Sequence, residues 1–213
     1  MSDSYVIYVC DTETTGLIPG EHEIVELSLY RFFLDNPENG DQKTWCLRAL
    51  KSETIQEEAL NISGHKREDV LCLTKHGRET YLHPNDVLPE IENWIADDNM
   101  SAHDRVLAGQ NIPFDYEHMF ELWKTQGTED TFPFTIGHNK LLVDTKHLAI
   151  IIDLCLGKKR EKYNLGALVK AFGVKKRKAH CAEEDAIMTK DLLVTQLCGI
   201  KEAAKMAFEK CHG

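Results

Sequence analysis

Two acidic residues directly after a short apolar run are the feature that most constrains the fold of this 213-residue chain. Residues 5–9 read Tyr-Val-Ile-Tyr-Val, a composition typical of a buried central strand. Asp11 and Glu13 follow this run, and strand residues two apart project from the same face. Burying the two carboxylates together without a cation would be costly, so a bridging divalent metal ion is one interpretation. A simple turn is the other, because Asp, Thr and Gly are all common in turns.

Two further groups of residues could complete such a site. Asp115 stands near the start of a helix predicted from Pro113, where a carboxylate either complements the helix dipole or serves as a third metal ligand. His180 and Asp185 are five residues apart, which on one continuous helix is a rotation of about 500°. They can converge only if His180 lies on the loop before the helix and Asp185 lies in its first turns.

The combined set of side chains is suited to phosphodiester hydrolysis. Four carboxylates favour hard, oxygen-ligated ions such as Mg²⁺ or Mn²⁺ over zinc. Two such ions can act on both sides of an in-line displacement. A histidine with an ordinary pKa of roughly 6.5 can accept the proton of an attacking water near neutral pH.

The remaining pattern predicts a single α/β domain over residues 1–213, with the motifs in about residues 5–197 and a C-terminal helix over 200–211. Further strands are predicted at 24–34, 44–50 and 105–109, with residues 36–40 as the hairpin connection between the first two. Asn111 is the predicted cap of the helix that runs from Pro113 to about residue 126. The other predicted helices cover residues 53–59, 86–96, 148–156 (apolar, hence a core helix), 165–172, 183–197 and 201–210.

Charge and composition narrow the function classes. The chain carries 35 acidic and 25 basic residues, a net charge of −10, which argues against a broad nonspecific grip on long nucleic acid. Basic runs at 158–162 and 175–178 are either solvated faces or contacts to a substrate backbone. No cysteines form a Cys-x-x-Cys pair, so a zinc site is not supported. The start lacks the features of a signal peptide and no segment suits a membrane span, so a cytoplasmic location is expected.

The three motifs resemble those of the DnaQ-like, or DEDDh, 3′–5′ exonucleases. Residues 9–16 match the first motif over its full length, and His180, Ala182 and Asp185 match the family's His-x-Ala-x-x-Asp. The related tyrosine subclass would place a tyrosine at position 181, where this chain has cysteine. Weaker similarities fill the gaps, so the resemblance covers roughly residues 5–197. Gln110 is a departure, because the second motif often begins with histidine.

The resemblance implies a ribonuclease H-like fold, with a central mixed β-sheet flanked by α-helices, and a full set of site residues. The implied ligands of two Mg²⁺ or Mn²⁺ ions are Asp11, Glu13, Asp115 and Asp185, with His180 as the general base. The implied nucleotide contacts are Thr14, Thr15 and Asn111.

The implied reaction is stepwise removal of nucleoside 5′-monophosphates from the 3′ end of a single-stranded nucleic acid, with DNA favoured. A 3′–5′ exoribonuclease of the RNase T or oligoribonuclease type, or a non-catalytic nucleic-acid-binding module, are the alternatives. The resemblance leaves a homodimer open, and the sequence offers no support for association with a polymerase.

Overall fold

The structure, a computed structural model, describes residues 5–178 and 180–212, with side chains up to residue 209. A five-stranded mixed sheet in the order β3-β2-β1-β4-β5 forms its centre. β1 lies in the middle, antiparallel to β2 and parallel to β4. The strands are β1 (Val6–Thr14), β2 (Ile24–Phe33), β3 (Asn36–Cys46), β4 (Arg105–Gly109) and β5 (Leu142–Asp144). Helices flank this sheet, which confirms the predicted α/β class.

The position of β1 follows from its composition. Val6, Tyr8 and Cys10 belong to the main apolar core, whereas Ile7 and Val9 belong to a second cluster that includes Leu193. These five side chains of β1 are all buried. A strand that is buried on both faces has a continuous apolar run rather than an alternating one.

Eight helices lie in the described part of the chain, and α8 packs across β1 and β2. Gly199 does not divide α8, so the prediction of two C-terminal helices is wrong. One glycine in an exposed helix costs only about 1 kcal/mol. The helices are α1 (Glu57–Ser63), α2 (Arg67–Val70), α3 (Lys75–Thr80), α4 (Pro84–Ala96), α5 (Pro113–Thr125), α6 (Thr145–Cys155), α7 (Leu165–Ala171) and α8 (Ala182–His212).

The β2–β3 hairpin turns earlier than predicted. Residues 34–35 form the turn, and Phe33 pairs with Asn36. Residues 36–40 therefore belong to β3 and are not the connection, and the strand ends at Cys46 rather than at residue 50. Pro37 is tolerated because β3 is an edge strand, which has one side free of sheet hydrogen bonds.

The start of α5 also differs from the prediction. Pro113 is the first helical residue, as predicted, but the N-cap is Ile112 and not Asn111. Asn111 has a left-handed backbone (φ 64°), and its amide donates a hydrogen bond to Asp144 Oδ1 at 3.2 Å. The tight passage from β4 to α5 sets this geometry, so Asn111 cannot cap the helix.

Two helix predictions had wrong boundaries or burial. The predicted helix at 53–59 is a 3₁₀ turn at Ser52–Thr54 followed by α1, with Ile55 extended between them. The helix predicted at 148–156 begins at Thr145 and is not a core helix, since Ile151 and Leu154 are more than half exposed. None of the helices in the described residues combines the length and apolar character that a bilayer crossing requires.

Candidate active site

Three carboxylates converge where β1 ends and α8 begins. Asp11 and Glu13 lie two apart near the end of β1, and Asp185 lies in the first turn of α8. One oxygen from each of the three lies within 4.8 Å of the others. The i, i+2 spacing therefore places both β1 carboxylates toward the same partner helix, as the alternation of strand side chains predicts.

Asp115 reaches the same edge of the sheet from a different direction. It lies in the first turn of α5, directly after β4, the parallel neighbour of β1. Parallel strands present their carboxyl ends at one edge, which brings the residues after β4 beside the end of β1. Asp115 is 5% exposed, and its Oδ1 accepts a 2.7 Å hydrogen bond from Thr12 Oγ1.

A glycine permits this close approach. A Cβ at Gly109 would lie 2.7 Å from Ile112 Cδ1 and 3.1 Å from the Cys10 carbonyl oxygen. The turn between β4 and α5 therefore packs directly on β1 only because position 109 has no side chain.

His180 lies on the loop before α8, as predicted, and its side chain is exposed. Its backbone amide donates a 3.0 Å hydrogen bond to Asp185 Oδ2. The backbone at His180 is left-handed, with a φ of 62°. This bond fixes the segment that carries His180 to the carboxylate cluster.

Burial and mutual repulsion make the cluster reluctant to ionise. Desolvation and the charges of Asp115 and Asp185 raise the pKa of Asp11 well above its ordinary value. Desolvation, followed by the charge of Glu26, raises the pKa of Glu13 to about 8. Desolvation raises the pKa of Asp115 to about 7, against the lowering effect of the Thr12 hydrogen bond. Desolvation also raises the pKa of Asp185.

The donor set fits a divalent cation. Among the described residues, no lysine or arginine lies within ion-pair distance of the four carboxylates, so no lysine or arginine in this part of the chain neutralises them. Asp185 Oδ1 is buried and has no hydrogen-bond partner among the residues that the structure describes. Clustered carboxylate oxygens are the ligands that hard cations such as Mg²⁺ and Mn²⁺ prefer.

The hydroxyls of Thr14 and Thr15 are engaged within the first-motif loop. Thr14 Oγ1 donates to the Gly16 carbonyl at 2.6 Å. Thr15 is fully buried, and its Oγ1 accepts from the Glu23 amide at 2.9 Å. In this state both hydroxyls close the loop, and their contact with a nucleotide stays a prediction.

The second motif borders an open cleft of about 570 Å³. Gln110 Nε2 donates to the Tyr163 carbonyl at 2.7 Å, and its Oε1 accepts from Thr145 Oγ1 at 2.6 Å. The glutamine therefore joins three segments of the cleft wall. Asn111 lies exposed on that wall with Lys146 and Lys162, and its contact with a nucleotide also stays a prediction.

Sequence reasoning missed Thr12, which hydrogen-bonds Asp115, and Glu26, which lies opposite Glu13. Thr12 lies inside the first motif, but nothing local indicates that its hydroxyl reaches Asp115. Glu26 lies between Val25 and Leu27 in β2, whose first six residues are buried, and a single acidic residue between apolar neighbours was the available signal.

Comparison with known families agrees with this geometry. Residues 8–193 match the RNase T family of exonucleases, so the chain belongs to this DnaQ-like exonuclease family. The family is metal-dependent, which agrees with the acidic cluster. A search of curated protein sequences finds no match.

Several solved structures share the ribonuclease H-like fold. Exonuclease I from Methylocaldum szegediense is 18% identical, with 90% of this chain and 40% of that chain covered and a TM-score of 0.69. Cell-death related nuclease 4 is 10% identical, with 91% and 64% covered and a TM-score of 0.72. The zinc-bound complex of E. coli exonuclease I with single-stranded DNA is 15% identical, with 99% and 43% covered and a TM-score of 0.72. The chain thus spans less than two thirds of the length of each.

Proposed function

We propose that the protein is a metal-dependent 3′–5′ exonuclease that releases nucleoside 5′-monophosphates from single-stranded nucleic acid, with DNA the favoured substrate. The observation that carries this proposal is the convergence of Asp11, Glu13 and Asp185 within 4.8 Å, with Asp115 beside them. Membership of the exonuclease family supports the nuclease class. The structures of E. coli exonuclease I with single-stranded DNA and with a dT13 oligonucleotide support the substrate class by analogy of fold.

The four carboxylates would hold two Mg²⁺ or Mn²⁺ ions. When bound, such ions supply charge stabilisation on both sides of an in-line displacement and lower the pKa of a coordinated water. The protein's own contribution is to place four oxygen donors from β1, α5 and α8 on rigid elements. The hydrogen bond from Thr12 holds Asp115 in its orientation.

His180 would accept the proton of the attacking water. Its exposed side chain leaves the ring accessible, while its backbone bond to Asp185 keeps it beside the cluster. The loop position also lets the ring move to the water without disturbing α8. A general base of this kind must be unprotonated to accept a proton.

The cleft beside the second motif would receive the strand. Lys146 and Lys162 lie on its wall with Asn111, where they can contact phosphates without reading base sequence. Only some residues of the basic runs are free for this purpose. Arg160 pairs with buried Asp153, and Arg177 pairs with Glu184. A few phosphate contacts are compatible with the net charge of −10, because a chain end presents few phosphates.

The test uses single-stranded DNA and RNA oligonucleotides of equal sequence, labelled at the 5′ end, with Mg²⁺ or Mn²⁺ and with an EDTA control. We expect a ladder of stepwise shortening that EDTA abolishes, with DNA consumed faster. Immediate release of a labelled mononucleotide would indicate the opposite polarity. Faster shortening of RNA would favour the exoribonuclease alternative, and no shortening with metal binding intact would favour a non-catalytic binding module.

A further inference from the structure

A fifth carboxylate lies beside the cluster. Glu26 on β2 is directly opposite Glu13 on β1, and opposed residues of antiparallel strands project from the same face. Glu26 is 8% exposed. After burial, its charge is the largest cause of the raised pKa of Glu13. Yet within the described residues Glu26 is not one of the carboxylates whose oxygens converge, so it neighbours the site without belonging to the donor set.

Glu26 contacts a histidine from the helical segment that α1 and α2 form, residues 57–70. His65 Nε2, between α1 and α2, lies 3.1 Å from Glu26 Oε2, at ion-pair distance but without hydrogen-bond geometry. The two side chains are 9% and 11% exposed. The other ring nitrogen of His65 lies 2.6 Å from the hydroxyl of buried Tyr81. The ring therefore lies between the Glu26 carboxylate and the Tyr81 hydroxyl.

Glu26 also contacts the segment that carries His180. Cys181 Sγ, one residue further along, donates a long hydrogen bond to Glu26 Oε1 at 3.9 Å. One carboxylate thus touches the helical segment through His65 and the loop before α8 through Cys181, while lying opposite Glu13.

We propose that Glu26 and His65 are positioning residues of the metal site, an inference that rests on the proposed function. A negative charge beside Glu13 disfavours orientations of that side chain toward β2 and favours the one that faces the cation. His65 keeps Glu26 from swinging into the donor set itself. Partners of metal ligands commonly act in this way.

Mn²⁺ titration by calorimetry tests the inference without reference to turnover. Glu26→Gln preserves shape but removes the charge, and we expect Mn²⁺ affinity to fall by roughly 10- to 100-fold. His65→Leu should also weaken binding, and His65→Gln, whose amide N–H can point at Glu26, should weaken it less. Glu26→Asp, which keeps the charge but shortens the side chain, should fall between the wild-type protein and Glu26→Gln.

A double-mutant cycle separates positioning from a structural role. If His65 acts through Glu26, the double variant E26Q/H65L should bind Mn²⁺ no more weakly than E26Q alone. Effects that simply multiply would overturn the assignment of His65. Wild-type affinity in E26Q and E26D would overturn the assignment of Glu26.

Arg67→Gln is the matched control. Arg67 ties the same helical segment down by pairing with Glu57 and by donating to the carbonyls of Ser52 and Ile55. This variant should lower the Tm and leave Mn²⁺ affinity unchanged. If R67Q weakens Mn²⁺ binding as much as H65L does, the effect of His65 is structural and the inference fails.

The two proposals fail separately. A wild-type protein that binds Mn²⁺ but shortens no oligonucleotide contradicts the nuclease function and leaves the positioning role standing. A protein that shortens oligonucleotides but whose E26Q variant binds Mn²⁺ normally does the reverse.

Discussion

The Thr12 hydroxyl donates a 2.7 Å hydrogen bond to Asp115 Oδ1 and so joins the first and second motifs across 103 positions of sequence. Asp115 is 5% exposed, and burial raises its pKa, whereas hydrogen bonds, first among them the one from the Thr12 side chain, lower it. The bond therefore both orients the carboxylate and favours its charge.

Thr12→Val should weaken the site without unfolding the protein. The substitution keeps the branched shape but removes the donor, which leaves Asp115 free to rotate and harder to ionise. We expect activity to fall by roughly 10- to 100-fold, with more Mg²⁺ needed for half-maximal rate. Thr12→Ser retains the hydroxyl and should stay near wild type, and equal rates in all three proteins would contradict the orienting role.

His180→Ala should separate metal binding from turnover. The proposed base is removed, so activity should fall by about 10²- to 10⁴-fold. Mn²⁺ affinity measured by calorimetry should change little, because the Asp185 bond comes from the backbone of residue 180. Undiminished activity would remove His180 from the mechanism.

The metal-free protein should lose stability as pH rises. The pKa values of Glu13 (about 8) and Asp115 (about 7) are raised in the folded state. At pH values between the ordinary carboxyl pKa and these raised pKa values, the folded protein binds more protons than the unfolded chain. The free energy of unfolding therefore falls as pH rises across this interval. In EDTA, we expect a lower Tm near about pH 8 than near about pH 6.

The variant Glu13→Gln is the control for this pH dependence. It should flatten the fall in Tm and raise the metal-free Tm at the upper pH, because it removes both an ionisable group and a source of repulsion. It should also reduce the rise in Tm that Mn²⁺ produces. A Tm in EDTA that does not depend on pH over this interval would contradict the raised pKa values.

The buried ion pair of Asp98 with Arg105, outside the carboxylate cluster, should contribute strongly to the stability of the fold. Asp98 is 1% exposed at its side chain and accepts from Arg105 and from the Tyr8 hydroxyl. Burial alone would raise the pKa of Asp98, but these hydrogen bonds lower it. Its stabilisation is therefore present above the unfolded pKa and is lost as pH falls through the folded one.

Asp98→Asn should cost about 3–5 kcal/mol in urea denaturation, since the Arg105 charge is left buried without its partner. The control is Asp41→Asn. Asp41 pairs with Arg31 but is 51% exposed, so its loss should cost less than about 1 kcal/mol. Equal losses would show that burial does not set the strength of these pairs.

Local pattern determined much of the molecule. The apolar run before Asp11 specified a central strand because burial on both faces requires an unbroken apolar sequence. The i, i+2 spacing of Asp11 and Glu13 specified a shared face, and the five-residue spacing of His180 and Asp185 required a loop followed by a helix. Each of these conclusions depends only on backbone geometry within a few residues.

Only the tertiary structure decided which distant residues meet. The β2–β3 hairpin turns at residues 34–35, and the separate pairing of β1 with β2 places Glu26 opposite Glu13. The apolar composition of α6 predicted a core helix, but Ile151 and Leu154 are exposed. The helix that packs across β1 and β2 is α8 instead. The Thr12–Asp115 bond likewise needs β4 beside β1. Composition and periodicity carry the preferences of single segments, whereas register and neighbour choice arise only when the segments pack.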